Sequence, residues 1–168
     1  MVLEITKLLL FPTLMALAAS SDLLTMTISN RLSLALAVGF VLLAPASGMS
    51  LATIGWHFGA AALVLTVTFI CFARGWIGGG DAKLAAATAL WFGFKYLPEY
   101  LIYASLFGGA LTLLLIQFRF FPLPAMLARQ PWIARLHEKG AGVPYGIALA
   151  AAALIVYPET EWMKSLAL

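Results

Sequence analysis

An all-α membrane protein, a polytopic bundle of about six transmembrane helices, is the fold this sequence predicts. Three observations carry the prediction. Hydrophobic residues make up 63% of the 168 positions and charged ones only 10%, where an ordinary soluble domain carries about 25% charged residues. Mean hydropathy is +0.99. The apolar residues also fall into runs of membrane-spanning scale, separated by short polar turns, with no second composition that would mark a soluble domain. Residues 1–168 therefore read as a single membrane-embedded domain.

Taken in order, the expected spans are residues 5–21, 32–45, 54–73, 82–97, 100–120 and 144–157. Several fall short of the roughly 20 residues that a crossing needs and must borrow from their flanks. The first stops at the polar turn beginning with Asp22. Asn30, just before the second span, is placed to cap it or to orient Asp22. Pro98-Glu99 is the tight corner between the fourth and fifth spans. Pro144 opens the last, at a position where proline suits a helix start. Between the fifth and sixth, Pro122, Pro124 and Pro131 alternate with Trp132, Arg129, Arg135 and Lys139, which predicts a broken segment at the bilayer interface. Trp56, Trp76, Trp91 and Tyr96, near span ends, read as interfacial anchors.

Basic residues are retained on the cytoplasmic side of a membrane. The connections after spans one, three and five hold Arg31, Arg74, Lys83, Arg119, Arg129, Arg135 and Lys139; the opposite side holds Lys7, Lys95 and Lys164. The imbalance places both termini outside and both aspartates inside. A competing reading takes Lys7, the apolar stretch 8–19 and its small alanines as a cleaved signal peptide, which would separate Asp22 from Asp81 by a membrane. The net charge of +3 follows from this loop asymmetry and gives no reason to invoke a nucleic acid. Cys71 is the single cysteine, so neither an internal disulfide nor a thiolate cluster can form. His57 and His137 lack nearby ligand partners, and no metal is expected.

Asp22 and Asp81 are the only aspartates, and each stands where an apolar run meets a polar turn. Two carboxyl groups brought together cannot both ionise cheaply, so one keeps a proton while the other stays an anion. The anion can take a proton from an attacking water, and the acid can donate to the oxyanion. No metal or cofactor is required. If the spans are right, Asp81 opens a helix and feels its positive end, whereas Asp22 closes one and feels its negative end, which makes Asp81 the better seat for the charge. The bland reading makes Asp81 a helix cap and Asp22 a solvated turn residue.

The surroundings of the two acids favour chemistry. Asp22-Leu23-Leu24-Thr25-Met26-Thr27-Ile28-Ser29-Asn30-Arg31 and Gly78-Gly79-Gly80-Asp81-Ala82-Lys83-Leu84 together resemble the two signature regions of type IV prepilin peptidases. In that family an Asp precedes a polar segment ending Ile-Pro-Asn, and a second Asp lies in Gly-x-Gly-Asp followed by Lys and Leu. Ile28 and Asn30 match, and Ser29 replaces the proline. Gly142-Val143-Pro144-Tyr145-Gly146 looks like the family's late motif, so the resemblance runs over essentially all of the chain. Larger members add a Cys-x-x-Cys region with methyltransferase activity, for which this chain has no room. The resemblance therefore implies the short branch associated with Flp-type pili of Tad secretion systems, in the bacterial inner membrane. Its substrate would be a prepilin with a basic leader and an apolar helix, with pilus assembly machinery as a further partner.

The same resemblance implies that Asp22 and Asp81 are catalytic. Gly78, Gly79 and Gly80 would shape a wall that an extended peptide can approach, or form only a flexible turn. Lys83 would support the site through space or snorkel as a topology anchor. Two other classes remain: an ion- or proton-coupled carrier using the same carboxylates, and a non-catalytic assembly factor.

Overall fold

The structure, a computed structural model, describes residues 2–164. Its helices are α1 (Val2–Thr25), α2 (Asn30–Ala46), α3 (Leu51–Ala73), α4 (Gly79–Phe120), α5 (Ala125–Ala128), α6 (Pro131–His137), α7 (Tyr145–Val156) and α8 (Glu161–Lys164), with a 3-10 turn at Tyr157–Glu159 before the last. No strand occurs among the described residues. The helices α1, α3 and α4 are long and apolar enough to cross a membrane; α2 and Tyr145–Glu159 are shorter apolar helices. The protein is an all-α membrane protein.

The 42-residue α4 is two helices joined at a break, because Gly93 has φ 58° and ψ −175°, a conformation open essentially to glycine alone. The limbs run over residues 79–92 and 94–120, and they give six apolar helical segments in all. This corrects the corner expected at Pro98-Glu99. Pro98 lies inside the second limb, close enough to its start that little intrahelical bonding is lost. The break leaves carbonyls of the first limb without helical partners. Two side chains from elsewhere take them: His57 Nδ1 donates to Leu90 O at 2.8 Å and Trp162 Nε1 to Trp91 O at 2.8 Å.

Every residue from Leu84 to Gly93 is buried, so the first limb of α4 is the centre of the bundle. Its alanines leave room for neighbouring backbones to approach. On the α1 side, Phe11 meets the rings of Trp91 at 5.1 Å and Phe92 at 5.5 Å, and Met15 lies beside Thr88. From the α2 side, Leu36 O accepts from Trp91 Nε1 at 2.9 Å. Trp91, expected as an interfacial anchor, is instead a fully buried bolt of the core. An indole whose N–H finds a partner can be buried at no polar cost. Trp56 and Trp76 are exposed.

Phe11, Met15 and Ala18 of α1 belong to this core, and α7 lies against both α1 and α4. The first span is thus an integral wall of the bundle. At one end of the bundle, Arg119 donates from Nε to Leu136 O and from Nη2 to Gly142 O, both at 2.7 Å. Arg135 Nη1 donates to Leu24 O at 2.9 Å, in the last turn of α1. The broken segment 121–144 is therefore tied down across this end, where cationic groups meet helix C-terminal carbonyls.

Candidate active site

Asp22 lies in the last turn of α1 and is 4% exposed. The chain behind it is folded by hydroxyls: Ser21 Oγ donates to Thr27 O at 2.8 Å and Thr25 Oγ1 to Ser21 O at 2.7 Å, while Met26 takes a left-handed φ of 56°. These bonds turn the chain sharply and send Ile28 back into the bundle. There Ile28 packs at the surfaces of Gly80 and Gly146, the neighbours of both acids.

The carboxylate of Asp22 accepts a hydrogen bond from the backbone N–H of Gly146 at 2.7 Å. Gly146 is the second residue of α7, so this N–H is one that no helix can satisfy internally, and it carries the positive end of the helix dipole. Asp81 holds the equivalent place on α4. It is the third helical residue, and its carboxylate reaches back to the backbone N–H of Gly78, the N-cap, which is half of a capping box. Asp81 opens a helix and Asp22 closes one, as expected. Asp22 also faces the opening of α7, so each acid has a helix-start amide within reach.

The two acids open onto the same space. They line a single cavity of about 710 Å³ together with Met26, Trp76, Gly78, Thr112 and Tyr145. Its wall is therefore built from the end of α1, the 74–78 turn, both limbs of α4 and the start of α7. An added Cβ at Gly146 would fall 2.8 Å from Asp22 Oδ2, and one at Gly78 would fall 2.8 Å from Asp81 Oδ2. Only a residue without a side chain lets either acid reach its amide.

The other residues singled out by sequence divide between two places. Gly79 packs on Phe72 and Gly80 on Ile28, so both hold helices together beside the cavity. Asn30 and Lys83 stand elsewhere: Lys83 Nζ donates to Asn30 Oδ1 at 2.8 Å, and both line a groove between α2 and α3 on the far side of the first limb. Asn30 does not cap α2; that place is held by Ser29, whose hydroxyl accepts from Arg31 N at 3.3 Å. Serine at the position where the signature has proline thus supplies a cap that proline could not.

A family model of type IV leader peptidases matches residues 9–113, well over half of the chain. The chain belongs to the type IV leader peptidase family. The matched stretch carries Asp22, Asp81 and the turns that present them, while α7 and the late Pro-Tyr-Gly segment lie beyond it. No curated protein and no solved structure matches the chain.

In this leader peptidase, Tyr145 and Gly146 of the late motif carry tasks that their residue types do not announce. Gly146 seats Asp22. Tyr145 lies so close on Gly108 that a Cβ there would fall 2.1 Å from its ring, and its hydroxyl donates to Ala104 O at 3.2 Å. The ring thereby fixes α7 against the second limb of α4. A glycine two residues after the proline of a helix start was the available signal, since it marks a first turn whose amides can be approached closely.

Proposed function

We propose that this leader peptidase is an intramembrane aspartyl endopeptidase that removes the leader of Flp-type or type IV prepilins at the cytoplasmic boundary of the inner membrane. One observation carries the reading: two acids 59 positions apart in sequence line one cavity at one end of the bundle. In the mechanism, the pair holds a single proton. The anionic carboxylate takes a proton from water as the oxygen adds to the scissile carbonyl carbon, and the neutral carboxyl gives its proton to the carbonyl oxygen. Collapse of the tetrahedral adduct breaks the C–N bond: the proton taken from water passes to the leaving amine, and a hydroxyl of the adduct returns its proton to the other carboxylate as the C=O re-forms. The pair ends with one proton, as it began. Assignment of acid and base to individual residues is a property of the coupled pair.

Support for the topology comes from the charges. Arg74, Arg119, Arg129, Arg135 and Lys139 stand with the aspartates, and Lys7, Lys95 and Lys164 fall at the opposite end, so the acids belong on the cytoplasmic side by the positive-inside rule. A prepilin with its leader in the cytoplasm and its apolar helix in the bilayer would present the scissile bond at that depth. The carrier reading fits less well, since carriers place their binding groups near the midplane on interrupted repeats.

Coexpression with a Flp-type prepilin, followed by mobility on a gel, tests the proposal. Asp22→Asn and Asp81→Asn each remove the proton cycle while keeping shape, and each should lower cleavage by about 10²-fold or more with membrane insertion intact. Normal processing by either variant rules out the paired-acid mechanism. Substrate uptake into proteoliposomes without proteolysis would replace it with the carrier.

A further inference from the structure

A second cavity, of about 600 Å³, opens between α2 and α3 with the first limb of α4 as its floor. The two helices lie against α4, and ring contacts from Phe40 of α2 to His57 and Phe58 of α3 join them toward the end away from the aspartates. The cleft is graded along its length. At its mouth, level with the aspartates, stand Lys83 and Asn30; next comes Ser33, whose Oγ is buried without a hydrogen-bond partner; beyond, the lining is apolar, alanines and leucines with Phe58, including Ala37, Ala61 and Ala87. Ser33 is three residues along α2 from Asn30, or about 4.5 Å deeper at 1.5 Å per residue.

We propose that this cleft binds one anionic phospholipid of the cytoplasmic leaflet. The phosphate meets the Lys83 ammonium, whose bonded partner Asn30 is neutral and leaves its charge uncompensated. An ester carbonyl one turn deeper accepts from Ser33 Oγ, and an acyl chain lies over the alanines. The volume argues for a chain rather than a peptide, since a helix ~10 Å across would fill 600 Å³ within about 8 Å of its length. Charge argues the same way, because Lys83 with Arg31 nearby at the start of α2 attracts a phosphate and repels a basic leader. The site is independent of the peptidase chemistry on the opposite face of the limb.

The test is native mass spectrometry of the full chain in detergent, offered phosphatidylglycerol or phosphatidylcholine of equal chain length. One phosphatidylglycerol should stay bound where phosphatidylcholine leaves. Lys83→Ala should lower that preference about fivefold, and Ala61→Leu with Ala62→Leu, which fill the cleft, should abolish retention. Leu113→Ala, on an exposed surface of the second limb, should retain lipid as the natural chain does, and monodisperse elution of each variant checks folding. Equal retention of the two lipids, or retention unchanged in the filled variant, overturns the site. Disulfide capture of a coexpressed prepilin helix by Ala62→Cys, with no lipid retained, overturns it in favour of a peptide occupant.

Discussion

Gly146 and Gly78 do the same work for different acids, each offering a helix-start amide that a side chain would block. Gly146→Val should therefore cost more than a cap. Its Cβ meets Asp22 Oδ2 and, at 2.6 Å, Ile28 Cδ1, so the carboxylate must leave its amide. Cleavage is expected to fall by at least about tenfold, the scale of a lost charge-assisted hydrogen bond of ~1.5 kcal/mol or more, with kcat affected more than KM; unchanged kcat would show that the amide has no part in positioning Asp22. The acids themselves were legible in the sequence, because a carboxylate bordering an apolar run is rare and conspicuous. The amides were not, since a backbone N–H leaves no mark in the residue that carries it. Lys83, two positions from Asp81, is turned to another face of the helix as that spacing dictates, and its bond to Asn30 is what the spacing does not reveal.

At the scale of the helices, the break in α4 depends on one residue. Gly93→Ala puts a side chain at φ 58° and drives its Cβ to 2.9 Å from His57 Nε2. It should destabilise the protein by about 1–3 kcal/mol, read as a lower melting midpoint in detergent. Pro98→Ala, by contrast, should change stability little, and a loss as large as that at Gly93 would return the corner to Pro98. The sequence pointed to proline because proline announces itself as a helix breaker. A glycine between two phenylalanines announces nothing until His57 and Trp162 are seen to take the freed carbonyls. Gly108→Ala is the matching experiment on α7: a Cβ 2.1 Å from the Tyr145 ring must displace it, and overpacking of this kind costs about 1–3 kcal/mol. Tyr145→Ala in the same chain should restore part of that loss.

For the molecule as a whole, charge asymmetry was readable from where Lys and Arg fall along the chain, and most of the six apolar segments from its apolar runs. Which segments would touch was not. The pairing of the first and fourth rests on Met15 meeting Thr88 and on Phe11 meeting Trp91, contacts that an apolar run does not encode in its hydropathy. The predicted sidedness can be checked in a Cys71→Ser background. A membrane-impermeant thiol reagent outside intact cells should label Lys164→Cys and leave Lys139→Cys untouched until the membrane is opened; the reverse pattern would invert the enzyme. The Gly146 amide has one more consequence, which concerns the order of synthesis. Both acids leave the ribosome well before it, so a nascent chain inserted only through α4 carries its reactive groups without the contact that seats the earlier one. On the proposed mechanism, competence comes only once α7 has packed, and copies inserted only through α4 stay harmless to their neighbours.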